Sequence, residues 1–75
     1  MAAHEVSSKI HEQDGIKYSL IVDEEDGWFW GVWICLPCNE KGESSKRCSS
    51  IEEAFIAAEA NTQLHHAATH KPKTP

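Results

Sequence analysis

Cys35-Leu36-Pro37-Cys38 is the segment of this chain whose residue types and spacing most directly suggest chemistry. A C-x-x-C pair can be a redox couple or half of a zinc site. Redox chemistry needs a thiolate at working pH, and redox domains obtain it by placing the first cysteine at a helix N-terminus. Cys35 instead ends a strand-like run, and no helix signal follows for about ten residues. Zinc needs four tetrahedral ligands. Cys35, Cys38 and Cys48 would supply three, and His65 or His66 the fourth, but the overall spacing follows none of the common zinc patterns. Ordinary thiols are the expectation, with no metal site and no cofactor. The alternative is a thiol or zinc-binding protein using Cys35, Cys38 and Cys48.

The other candidates have plainer readings. His65 and His66 are neighbours, so on a helix they point about 100° apart and cannot chelate as an i, i+4 pair would. His70 lies one turn beyond His66 and could pair with it only if the helix ran that far. A helix C-terminus favours such partly cationic side chains. Asp23-Glu24-Glu25-Asp26 lacks the alternating ligand spacing of a calcium loop and reads as a solvated acidic turn. There is no nucleophile–base arrangement, no glycine-rich phosphate loop and no P-loop. An enzyme is not expected.

Composition narrows the class further. A chain of 75 residues makes one domain, and one this small buries only about 60% of the surface its unfolded form exposes. Seven Lys and Arg stand against twelve Asp and Glu, a formal net charge of −5. A phosphate backbone would be repelled by most of such a surface, so nucleic acid is not an expected partner. No apolar run approaches the ~18 residues of a membrane span. The opening Met1-Ala2-Ala3-His4-Glu5 lacks the basic and apolar regions of a secretory signal. The expected location is cytoplasmic, where three cysteines stay reduced.

Two Asp-Gly pairs, Asp14-Gly15 and Asp26-Gly27, sit between strand-like runs, the strongest short-range hairpin signal. Three-residue loops, Gln13-Asp14-Gly15 and Glu25-Asp26-Gly27, would pair Ile10 with Tyr18, Ser8 with Leu20, Val6 with Val22, then Val22 with Trp30, Leu20 with Val32 and Tyr18 with Ile34. Two-residue loops would instead set Asp23 against Trp30 and Leu20 against Trp33. The three-residue register gives the cleaner apolar face, and a slip of one residue moves every side chain across the sheet. That face holds Val6, Ile10, Ile16, Tyr18, Leu20, Val22, Trp28, Trp30, Val32 and Ile34. A third turn at Glu40-Lys41-Gly42 would return the chain as a polar edge strand, roughly Glu43 to Cys48. In that register Cys48 lies beside Ile34 and Cys38 beside Ser44, about 13 Å apart at ~3.3 Å per residue, too far to share an ion.

Ser50-Ile51-Glu52-Glu53 is a capping box that opens a helix. Ile51, Ala54, Phe55, Ala58 and Thr62 recur at helical spacing and should lie on the sheet. The expected fold is α+β, an antiparallel three- to four-stranded meander (β-β-β-(β)-α) with one C-terminal helix packed on one sheet face. The domain spans 5–66, with 1–4 and 67–75 disordered.

Tyr18 to Val22, Asp26-Gly27-Trp28, Leu36-Pro37 and Ser50-Ile51-Glu52-Glu53-Ala54 together resemble small uncharacterised bacterial βββα proteins, the HicB-like antitoxin domain among them. The resemblance covers roughly 16–60 and implies an antitoxin or RNA-binding relative. The chain departs from it by inserting Cys38 to Ser49 before the helix and by carrying no DNA-binding segment. On the residues alone, Phe29 and Trp33 fall opposite the helix with Ile21 and Cys35, an apolar face unusual for a solvated sheet. Aromatic residues are enriched at interfaces. The expected function is therefore a non-enzymatic interaction module, a homodimer or a binder of a protein partner, through Ile21, Phe29, Trp33, Ile56 and Leu64.

Overall fold

The structure is a computed structural model that describes residues 3–44 and 46–70. Four strands, β1 (His4–Gln13), β2 (Ile16–Glu25), β3 (Trp28–Cys35) and β4 (Glu40–Glu43), precede a single helix, α1 (Ile51–Thr69). The strands form one antiparallel sheet in the order β1-β2-β3-β4. This is the α+β meander closed by one helix that the sequence implies, with the fourth strand present. Among the described residues, no helix is long and apolar enough to cross a membrane.

Both hairpins close with two-residue loops. Gln13 faces Ile16 across Asp14-Gly15, and Glu25 faces Trp28 across Asp26-Gly27. All four loop residues take positive φ, 51° and 81° at the first loop and 55° and 83° at the second. These are type I′ turns, whose twist matches that of the flanking strands. The three-residue register is therefore wrong by one residue in each hairpin. Tyr18 pairs with Cys35, Leu20 with Trp33, Val22 with Gly31 and Asp23 with Trp30. On β1, Ile10 pairs with Ser19 and His11 with Tyr18. The register of β1 shifts between Glu5 and Ser7, leaving Val6 as an unpaired bulge residue.

The slip turns β3 over. Phe29, Gly31, Trp33 and Cys35 share the helix-facing side with Tyr18, Leu20 and Val22. Trp28, Trp30, Val32 and Ile34 lie on the other side with Ile21. Tyr18, Leu20 and Val22 are fully buried, as expected of the central strand. Val6, Ile10 and Trp28 are exposed rather than in the core. On the far face Trp30 is buried without the helix, and the Arg47 guanidinium lies 4.1 Å from its ring centroid.

Gly31 explains the sheet–helix spacing. A Cβ there would collide with the Ala54 carbonyl and come within 2.6 Å of the Ala58 Cβ. The helix backbone therefore lies directly on the sheet, with small residues on both sides of the contact. Along α1 the buried residues are Ala54, Ala58, Thr62, His65 and His66. Ile51, expected on that stripe, is instead exposed, and Phe55 is half-buried. Ile56 and Leu64 point to solvent.

Ser50 caps α1: its Oγ accepts from the Glu53 N–H at 3.2 Å, and Glu53 Oε1 accepts from the Ser49 hydroxyl at 2.9 Å. Replacing Ser50 by alanine leaves that amide unpaired and should cost ~1 kcal/mol in urea unfolding, within a general range of about 0.5–2. An unchanged midpoint would show that the cap contributes nothing. At the other end the helix continues past residue 66 to Thr69, and β1 begins at His4. Residues 1–2 and 71–75 lie outside the described residues.

The third turn also differs from expectation. It is Leu36–Asn39, with Asn39 at φ 62°, and β4 starts at Glu40. Beyond β4 the chain still touches β3: the Ser44 N–H donates to the Gly31 carbonyl at 2.7 Å, and Cys48 and Phe29 exchange backbone hydrogen bonds of 2.7 and 2.9 Å. The expected strand from Glu43 to Cys48 is thus displaced toward the turn, with Ser45 outside the described residues.

Candidate metal centre

The flipped register puts Cys35 at the end of β3 on the face that the helix covers. The turn then brings Cys38 back beside it: the Asn39 N–H donates to the Cys35 carbonyl at 2.7 Å, and the Leu36 N–H ties the turn to the Lys17 carbonyl at 3.1 Å. Above this corner lies the end of α1. His65 continues the Ala54, Ala58, Thr62 stripe, so its burial follows from helix periodicity. His70 is the C-cap, with φ −119° and ψ 49°, and its N–H donates to the His66 carbonyl at 2.7 Å. Leaving the helix there lets its ring fold back over the corner, 5.2 Å from the His65 ring.

Four ligand atoms converge as a result. Those of Cys35, Cys38, His65 and His70 all lie within 4.8 Å of one another. Cys38 Sγ is 3.3 Å from His65 Nε2, and Cys35 Sγ is 3.4 Å from His70 Nε2. The S–N edge of a tetrahedral zinc site, built from Zn–S of about 2.3 Å and Zn–N of about 2.05 Å, is ~3.5 Å. The two S–N contacts of 3.3 and 3.4 Å match that edge.

The surroundings prepare His65 for the role. Its Nδ1 lies 3.3 Å from Glu40 Oε2, which leaves Nε2 facing Cys38 Sγ at 3.3 Å. A carboxylate behind a ligating imidazole fixes ring orientation and raises basicity. The ring is also held by Trp33, 4.9 Å between centroids, and by Tyr18, edge-on at 6.1 Å. Glu40 should act as a positioning residue. Its side chain is 62% exposed, which places the effect of Glu40→Gln at the low end of the usual range, about a tenfold weaker zinc Kd. The unfolding midpoint of the metal-free protein should not move. A variant with wild-type zinc affinity would remove Glu40 from the site.

His66 does different work. The Tyr18 hydroxyl donates to its Nδ1 at 2.9 Å, and its Nε2–H donates to Asp14 at 3.0 Å. It pins the helix to the first hairpin, and both its ring nitrogens are taken. Burial, followed by the neighbouring Cys35 and Cys38 sulfurs, pushes the Tyr18 pKa up to about 12, so Tyr18 keeps its proton as donor. Burial also pushes the Cys35 thiol up, reinforced by its hydrogen bond to Cys38. A cation between the sulfurs would offset that penalty.

Cys48, grouped with the other cysteines on sequence grounds, is elsewhere. It faces Phe29, six residues along β3 from Cys35, about 20 Å at ~3.3 Å per residue. His70 takes its place. The half-motifs Cys35-x-x-Cys38 and His65-x₄-His70 each fall within zinc-site spacing, but the long stretch between them hides the match. The proposed interaction surface does not assemble either. Phe29 and Trp33 face the helix, Ile21 lies on the opposite sheet face, and Ile56 and Leu64 are on the solvent side of α1. The acidic turn uses Glu24 locally, where its carboxylate accepts from the Gly27 N–H at 2.8 Å. Comparison of the chain with known protein families, with curated proteins and with solved structures finds no match.

Proposed function

We propose that this protein is a small zinc-binding domain with a Cys₂His₂ centre formed by Cys35, Cys38, His65 and His70. The observation that carries the reading is the convergence of those four ligand atoms within 4.8 Å. Two thiolates and two neutral imidazoles are the soft, tetrahedral donor set that favours zinc over magnesium or calcium. Two thiolates would also neutralise the charge of a divalent ion at this half-buried corner.

Four protein ligands close the coordination sphere, which is the pattern of a structural rather than a catalytic zinc. A non-enzymatic role follows. The centre clamps the β3–β4 turn to the last turn of α1, two elements distant in sequence. A chain this short gains from such a staple. The site needs both thiols reduced, and Cys35, Cys38 and Cys48 are free cysteines, which supports a reducing compartment such as the cytosol. Self-association is no part of this reading, because Phe29 and Trp33 are turned toward the helix.

Elemental analysis of the full chain purified without chelator tests the proposal. One zinc per chain is expected, and cobalt substituted for it should show the intense visible bands of a tetrahedral S₂N₂ site. Cys35→Ser and His70→Ala should lose the metal, while Cys48→Ser and His66→Ala should keep one equivalent. A metal-free protein that stays metal-free on titration with zinc would overturn the assignment.

A further inference from the structure

We propose that Cys35 and Cys38 are also a peroxide-reactive pair, whose oxidation to a disulfide ejects the metal. The inference rests on the zinc-binding reading and adds what would remove the ion. Three placements carry it. The two sulfurs belong to a cluster within 4.8 Å, on residues three apart in one tight turn closed by the Asn39 N–H to the Cys35 carbonyl at 2.7 Å. The two thiols are also unequally accessible: Cys35 is fully buried, while Cys38 is half-buried between exposed Pro37 and Asn39. Cys48, at the far end of β3 beside Phe29, is out of range of both. The geometry therefore allows one disulfide within the chain, with a fixed order of attack.

The chemistry balances with a hydroperoxide as oxidant. Zinc holds both sulfurs as thiolates, and zinc itself exchanges no electrons. The Cys38 sulfur attacks one peroxide oxygen. The O–O bond breaks, a sulfenic acid forms on Cys38, and hydroxide (or alkoxide) leaves. The Cys35 thiolate then attacks the Cys38 sulfur, forming the S–S bond and breaking the S–O bond, and a second hydroxide leaves. The two sulfurs together lose two electrons and the two peroxide oxygens gain them, with solvent supplying two protons to the leaving groups. Both sulfur ligands disappear in this one bond. Two imidazoles remain, too few for the tetrahedral set, and the ion departs as Zn²⁺. A dithiol reductant reverses the change.

The test treats the zinc-loaded full chain, and its Cys48→Ser variant, with hydrogen peroxide. Released zinc is read with a chromogenic chelator, and the covalent state by intact mass and peptide mapping. The expected result is one zinc freed for each Cys35–Cys38 disulfide, with a mass loss of two hydrogens. It should occur equally in Cys48→Ser and should be restored by dithiothreitol and fresh zinc. Zinc retained through peroxide, a sulfinic acid on Cys38 without a link, or a link involving Cys48 would overturn the switch and leave the zinc reading standing. A chain that takes up no zinc at the outset sinks both.

Discussion

Saturating zinc should raise the thermal unfolding midpoint of this protein by on the order of 15–30 °C. A ligand that binds only the folded state at about a thousand times its Kd stabilises by ~4 kcal/mol. In a domain of roughly this length each kcal/mol shifts the midpoint by about 4–8 °C. The ligands make the linkage strong, because Cys35 and Cys38 lie on the β3–β4 turn and His65 and His70 on the end of α1. The unfolded chain does not hold these two segments together, so binding energy becomes folding energy. Cys35→Ser and His65→Ala should each abolish the shift, with an excess of chelator returning the wild type to the same midpoint as its metal-free form. Calorimetry with and without zinc reads the effect directly. A wild-type midpoint indifferent to zinc would mean that the four ligands do not share an ion.

The second large effect is expected at Gly31. Any side chain there meets the Ala54 carbonyl and the Ala58 Cβ, and neither is the far end of a flexible side chain that can move aside. The helix must lift or the strand must bend. Overpacking in a core costs about 1–3 kcal/mol where side chains can adjust, and here the backbone must, so Gly31→Val should reach at least the top of that range. Urea unfolding should show a lower midpoint with an unchanged slope. Because the lifted helix carries His65 and His70, the variant should also bind zinc more weakly. A Gly31→Val protein with wild-type stability would show that the helix does not rest on β3 as described.

Gly31 also shows how much of the fold was legible. The Asp-Gly pairs locate both hairpins, and Ser50 with Glu53 locates the helix start. Loop length is where apolar pattern misleads, because Trp28-Phe29-Trp30-Gly31-Val32-Trp33-Ile34-Cys35 is apolar on both faces and cannot vote for one. A glycine inside a strand signals close backbone approach, and that cue assigns Gly31, with Phe29, Trp33 and Cys35, to the helix side. The Cys35, Cys38, His65 and His70 cluster is legible only in halves. The Cys35/Cys38 spacing stands out, and Thr62 plus three places His65 on the buried stripe. His70 depends on where the helix ends, and no periodic rule carries through a C-cap. Cys48 joins the candidate set only as the third cysteine, and both the turn expected at Gly42 and the one found at Leu36–Asn39 set it far from Cys38 along β3.

The unpaired Val6 decides how the sheet stops. β1 is a ten-residue outer strand, long enough to template a strand from another molecule, and such edges invite runaway polymerisation. The bulge bends β1 where it leaves Ser7 for Glu5 and breaks the straight row of free amides and carbonyls that an incoming strand would need. His4, Glu5, Lys9, His11 and Glu12 add charge or polarity along the same strand. The sheet is thereby finite by construction, and growth into fibrils through this border is discouraged.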